Sequence, residues 1–211
     1  MTIVPRGLWA FMLFAAFAGC ASYDQQPMPT LPATGIQHLK WQGLELSLWQ
    51  PDAASVKRTF NLDLRAEAIL TEFVKAENRS PHDASISPNA MQLSSGTRTY
   101  SCLTPDQVAG RLAFSPSERY FVWALGLPLV GIIPGIIDGS NAVDANHLMR
   151  EDLIEKALKN QIFRSGAKTS GFVFFDVPRT ATPDTLTIPV TIEPGQVHGF
   201  RFLLPPSADL P

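Results

Sequence analysis

Charge is scarce in this chain and balanced where it occurs. Charged residues make up 17% of the 211 positions, and 17 Lys and Arg against 19 Asp and Glu leave a net charge of −2. That balance excludes the basic footprint by which a domain neutralises phosphates, so nucleic acid is not an expected partner. A hydrophobic content of 45% excludes a disordered polyelectrolyte. The two cysteines are too few for a disulfide framework or a four-cysteine zinc site. The histidines, His38, His82, His147 and His198, lie far apart, and none sits one helical turn from another His or Cys. With no local pair to start a metal site, neither a metal nor another cofactor is expected. Missing too are a Gly-x-Ser-x-Gly elbow, a glycine-rich phosphate loop and His-Glu-x-x-His. Proline, by contrast, is abundant at 18 residues, which argues against an all-helical bundle.

The N-terminus speaks of location. Arg6 precedes an apolar block from residue 8 to residue 17, followed by Ala18-Gly19-Cys20. A short positive region, a short apolar core and small residues at its end make a secretory signal over residues 1–19, too short to span a bilayer. Phe17-Ala18-Gly19-Cys20 resembles the lipobox of bacterial lipoproteins, with Phe17 where that pattern prefers Leu. The resemblance implies a Cys20 that carries diacylglycerol and becomes the acylated mature terminus. Ser22, rather than Asp, two places after Cys20 implies sorting to the outer membrane. Residues 20–35 hold Pro27, Pro29 and Pro32 with Asp24 as the single charge, the composition of a semi-extended tether.

From residue 36 onward one domain is expected, built of short strands. Leu44, Leu46 and Leu48 alternate with Glu45 and Ser47, the period of a half-buried strand. Phe60, Leu62 and Leu64 alternate with Asn61 and Asp63 and predict another. Between Leu62 and Glu77 a helical stripe and a strand remain alternatives. Asn78-Arg79-Ser80-Pro81-His82-Asp83 is turn chemistry. Short strands follow over 84–87, 91–94 and 97–102, and Thr104-Pro105-Asp106-Gln107 starts a helix with a capping box. Strands return at 171–175, 185–192 and 199–204. Such a series predicts an antiparallel β-sandwich. Asn78-Arg79-Ser80 and Gly171-Phe172-Val173-Phe174-Phe175 resemble the immunoglobulin-like bodies of small envelope lipoproteins, which implies an immunoglobulin-like arrangement of that sandwich.

Residues 120–137 interrupt the pattern with an apolar, uncharged run. Gly131, Gly135 and Gly139 are spaced by four, a stripe for close helix packing that resembles the glycine zippers of some outer-membrane lipoproteins. Pro128 and Pro134 oppose a straight helix. Three roles stay open: an arm buried in the domain, a segment facing the membrane or an oligomer, and a full span. Leu127, Val130, Gly131, Ile133, Gly135, Ile136 and Gly139 are the candidate membrane or partner contacts. Asp138-Gly139-Ser140-Asn141 then caps an amphipathic helix with rows Met149, Leu153, Ala157 and Ile154, Leu158, Ile162. Asp152–Lys156 is an acid-first i,i+4 pair on it. The expected insertion is thus an apolar and amphipathic helical hairpin over about 104–162. Cys102 reads as a buried, unreactive thiol.

Two functions of different class follow. One is an outer-membrane-anchored lipoprotein, its body facing the periplasm, acting without catalysis as an envelope structural or assembly factor through a protein partner or a second copy of itself. The alternative is a periplasmic enzyme such as a cell-wall hydrolase, for which a cleft with paired carboxylates or a His–acid pair is the discriminating feature.

Overall fold

In the computed structural model, residues 22–113 and 132–205 are described, with 132–141 by backbone alone. Two compact units are distinguished: Met1–Tyr23 with Ala113–Leu148, and Asp24–Leu112 with Met149–Pro211. In the described part of the first, Tyr23, Ala142 and Ala145 are buried, while Val143 and Leu148 are exposed.

The second unit is mainly β. Its ten strands are β1 Ile36–Trp41, β2 Leu44–Trp49, β3 Ile69–Asn78, β4 Ala84–Ile86, β5 Gln92–Ser95, β6 Arg98–Leu103, β7 Gln161–Phe163, β8 Lys168–Asp176, β9 Thr185–Ile192 and β10 Gln196–Leu203. They pair antiparallel in the order β1-β2-β3-β8-β6-β5-β9-β4-β7, with β10 on β9. The described residues form three α-helices, α1 Ala53–Phe60 and α2 Pro105–Leu112 in the second unit and α3 Ile132–Lys156, of which residues 149–156 belong to that unit.

Alternation decides which side of each strand is covered. Leu44, Leu46 and Leu48 of β2, Leu70, Val74 and Ala76 of β3, and Val173 and Phe175 of β8 enter the main core. Leu186, Ile188, Val190, Phe200 and Phe202 of β9 and β10 join the same core. The sheet is not closed, since β1 and β7 stand at its two ends.

The other side of β3 and β8 is half apolar and half polar. Phe60, at the end of α1, meets Phe172 and Phe174 edge-on at 5.0 and 5.8 Å, and Phe73 meets Phe172 at 4.9 Å. α1 starts on Asp52, whose carboxylate accepts from the Ser55 amide at 2.6 Å and is held below its ordinary pKa by the Ser55 side chain and then by that amide. Lys156 of α3, only 4% exposed, donates to the Thr59 carbonyl and to Asp152 Oδ2, each at 2.7 Å. It thereby satisfies a carbonyl that the last turn of α1 leaves open. α2 has the reciprocal cap its sequence predicts: Gln107 accepts from the Thr104 amide and donates its own amide to Thr104 Oγ1. Arg111 grips Asp176 of β8 at 2.8 and 2.5 Å, and Arg150 of α3 meets Asp106 at 2.6 Å.

Several expectations need correction. Phe60-Leu62-Leu64 is not a strand: Phe60 closes α1, Asn61 turns left-handed at φ 52°, and a short 3₁₀ turn over 65–67 leads into β3. The alternation comes from a helix end followed by a loop. Residues 138–141 do not cap a helix but lie within α3. The insertion does not stay helical to 162. α3 ends at Lys156, because Ala157 bridges Phe172 and the Leu158 amide donates to the Phe172 carbonyl at 2.8 Å. Ile162 leaves its predicted apolar row and is an exposed β7 residue. Residues 114–131, which would join α2 to α3, lie outside the described residues.

Asn78-Arg79-Ser80 is a structural joint. The buried Asn78 side chain donates to the His82 and Phe163 carbonyls and accepts from the Ser80 amide and hydroxyl. Its backbone pairs with Ala167 and Gly166, so one asparagine pins the turn after β3 to the turn before β8.

Candidate functional site

The polar half of the outer face is assembled by register. Lys40 of β1 stands opposite Glu45 of β2, Glu45 opposite Glu77 of β3, and Glu77 opposite Lys168 of β8. Lys40 reaches Glu45 at 3.1 Å, while Glu77 is shared by Arg79 at 2.7 Å and Lys168 at 3.2 Å. Arg79 and then Lys168 hold the Glu77 carboxyl below its usual range.

This rung borders a cleft at the tip of the β1–β2 hairpin. The hairpin turns on Gln42 and Gly43, both left-handed at φ 45° and 85°. Gly43 is required there for a second reason, since an added Cβ would lie 2.8 Å from the Ser80 amide nitrogen. The Gly43 carbonyl accepts from the Arg79 amide at 2.7 Å, which brings Arg79 beside the turn. Lys40, Trp41, Gln42, Gly43, Leu44, Glu45 and Arg79 line this open cleft of about 200 Å³. Trp41 is backed by His198 of β10, stacked at 4.2 Å and 6°, and His198 in turn meets Phe200 edge-on.

Near the cleft lies an arrangement that suggests hydrolytic chemistry, His38 with Ser47 and Glu45. His38 Nδ1 is 2.9 Å from Ser47 Oγ and 3.9 Å from Glu45 Oε1. A proton relay needs the base at one ring nitrogen and the orienting acid at the other. Here a single nitrogen faces both partners, on an exposed strand surface, so the trio does not activate Ser47.

Among the described residues, the most perturbed carboxyl is inside the protein. Glu72 alternates with Leu70 and Val74 on the core side of β3, opposite Val173, and is fully buried. Burial raises its pKa from 4.5 to about 8; the Gln50 side chain and the Arg65 charge only partly oppose this. Neither carboxyl oxygen meets the geometry of a full hydrogen bond. A sealed group cannot touch a substrate, so its consequence is on stability. Below pH 4.5 both folded and unfolded chains hold this proton. Between about 4.5 and 8 only the folded chain holds it, so stability falls as pH rises through that window and levels off above it. Glu72→Gln, which mimics the neutral acid, should stabilise the protein by up to about 3 kcal/mol at pH 7 and leave it nearly unchanged at pH 4. Denaturant melts at the two pH values check this, and an equal effect at both would mean that Glu72 ionises normally.

Of the residues singled out from sequence, Cys20, Leu127, Val130 and Gly131 lie outside the described residues, whereas Ile133, Gly135, Ile136 and Gly139 lie along α3. His38, His82 and His147 are exposed and His198 is half-buried. Among the described residues no three His, Cys, Asp or Glu side chains gather to hold a metal ion, and no helix is long and apolar enough to cross a membrane. Cys102, expected to be buried, is half-buried, and burial raises its thiol pKa. Sequence reasoning misses the cleft because its walls come from the hairpin and from Arg79, which only the β2–β3 register brings together. The dipeptide Gln42-Gly43 is the available local signal.

No family model matches this chain, and no curated protein matches it. Among solved structures, similarity is found to a functionally unknown protein from Listeria monocytogenes EGD-e, at 10% identity over 89% of this chain and 85% of that one, with a TM-score of 0.37.

Proposed function

We propose that this chain is an outer-membrane-anchored lipoprotein whose body acts in the periplasm, without catalysis, as an envelope structural or assembly factor. The observation that carries this reading is the Phe17-Ala18-Gly19-Cys20 junction behind a short apolar block. Residues 22–35, irregular and mostly exposed, suit a tether between an acylated Cys20 and β1. An immunoglobulin-like sandwich is the finer fold proposed. It is supported by a single core that draws on β2, β3 and β8 as well as β4, β5, β9 and β10. The partner, a second protein or another copy of this chain, would meet the segment from Leu127 to Gly139. Gly135 and Gly139 lie one turn apart in α3, a spacing suited to close helix approach. Cys20→Ser tests the anchor: the wild type should incorporate labelled palmitate and fractionate with outer membranes, and the variant should do neither. A serine variant that labels and fractionates like the wild type would refute the assignment.

A further inference from the structure

Among the described residues β10 pairs with β9 alone, so one side of its backbone meets no strand. Two bonds fix which residues face that side. The Leu204 amide donates to the carbonyl of Asp184, the residue before β9, whereas the Leu203 carbonyl accepts from the Gln37 side-chain amide of β1 at 2.6 Å. Backbone groups alternate sides along a strand, so Val197, Gly199, Arg201 and Leu203 turn their N–H and C=O groups to the free edge. Their side chains share the outer face, with Val197 64% and Leu203 73% exposed. Such an edge is a template for another strand, and proteins ordinarily blunt it by shortness, charge or proline. The two ends of the sheet follow that rule: β7 has three residues, and β1 exposes His38 and Lys40. β10 is eight residues long, contains no proline and has Arg201 as its one permanently charged residue.

The outward residues are complementary to themselves read backwards. When two β10 strands lie antiparallel in the register centred on Phe200, Val197 stands opposite Leu203 of the other copy, and Gly199 opposite its Arg201. Apolar meets apolar twice, and each arginine faces a residue without a side chain. A shift by two residues in one sense sets Arg201 against Arg201. The opposite shift sets Leu203 against Gly195, beyond the last β9–β10 register pair, Gln196↔Ile192. We propose that β10 pairs antiparallel with β10 of a second copy of this chain, in the Phe200-centred register, about a two-fold axis. The free N–H and C=O groups of the two strands then satisfy each other, and Val197 and Leu203 leave water. The Leu203 carbonyl keeps a second lone pair for the new ladder. This surface involves neither the segment from Leu127 to Gly139 nor the anchor, and the inference is independent of both.

The test is amide hydrogen exchange of the full-length chain in detergent micelles, followed by NMR over a range of protein concentrations. The Val197, Gly199 and Arg201 amides should gain protection as concentration rises. Those of His198, Phe200 and Phe202, turned to β9, should be protected throughout and report that β10 is folded. A charge swap tests the register. An added Cβ at Gly199 meets only Thr187 Cγ2, at 3.6 Å, so a side chain fits there. Gly199→Lys sets a cation opposite Arg201 twice in the pair and should weaken self-association about tenfold. Adding Arg201→Glu to that chain should restore it. Outward amides that exchange freely at every concentration would overturn the proposal and leave the edge to a strand of a different protein. So would a well-folded Gly199→Lys chain that associates like the wild type, or a double variant that stays as weak as the single one.

Discussion

A Gly171→Ala chain should lose more than about 3 kcal/mol of stability, a large share of the 5–15 kcal/mol typical of a domain. The reason lies where α3 gives way to extended chain. An added Cβ at Gly171 would stand 2.4 Å from the Leu158 nitrogen, 2.5 Å from its Cα and 2.6 Å from the Ala157 carbonyl carbon. These are backbone atoms, and they cannot swing aside as a side chain would. Moving them would break the Leu158–Phe172 hydrogen bond and displace the end of α3 from β8. Gly110 supplies the contrast. It lies in α2, where an added Cβ would meet nothing within 4 Å, so Gly110→Ala should be neutral or gain up to about 1 kcal/mol. Urea midpoints of the two variants measure the difference. Equal midpoints would show that residues 157–158 do not press on β8.

Lys156→Met is the second large effect, with an expected loss of about 3–5 kcal/mol. Methionine keeps most of the lysine's aliphatic stem, so the loss isolates the ammonium, which lies 5.3 Å from the Phe60 ring centroid. Without it, the Asp152 carboxylate, 4% exposed, is deprived of a cation at 2.7 Å, and the Thr59 carbonyl loses its donor. Adding Asp152→Asn to the same chain removes the buried charge and should recover part of the loss. If the double variant is no more stable than the single one, the cost comes from repacking around Phe60 and not from the ion pair. Thermal melts of the three chains separate the two explanations.

Local chemistry is legible in the sequence, and burial is legible only where a strand alternates cleanly. Leu44-Leu46-Leu48 and the run from Thr185 to Ile192 show their faces by period alone. Thr104 and Gln107 show a capping box because both halves of it lie within one turn. Asp152 and Lys156 are recognisable as a pair, but the same spacing serves on a solvated face and in a core. What seals them, the end of α1, is contributed by residues almost a hundred positions earlier. Phe60, Leu62 and Leu64 mislead for the opposite reason: two independent local structures, a helix end and a loop, place apolar residues at a strand's period. The Asp52 cap three residues before Ser55 is a readable signal for that helix. Glu72 gives no sign of its environment, since a charged residue in a strand is ordinarily turned to water. The cleft at Gln42-Gly43 depends on register between strands, which no short stretch of sequence specifies.

The place of β8 in the sheet governs the order in which the chain can become a protein. Its neighbours are β3 and β6, and Ile69 of β3 pairs with Asp176 at the far end of β8. A polypeptide growing from its N-terminus can close the β1–β2 hairpin and pair β3 with β2 early, yet the strand that joins β3 to β6 is made only after α3. Until residue 176 is available, Phe73 and Val74 have no Phe172 and Gly171 to pair with, and the aromatic layer around Phe60 is incomplete. Pairings so distant along the chain form slowly, because loop closure precedes any gain in contacts. The nascent chain therefore cannot complete its core until most of it has been synthesised, a schedule compatible with the proposed export of the chain across a membrane before it folds.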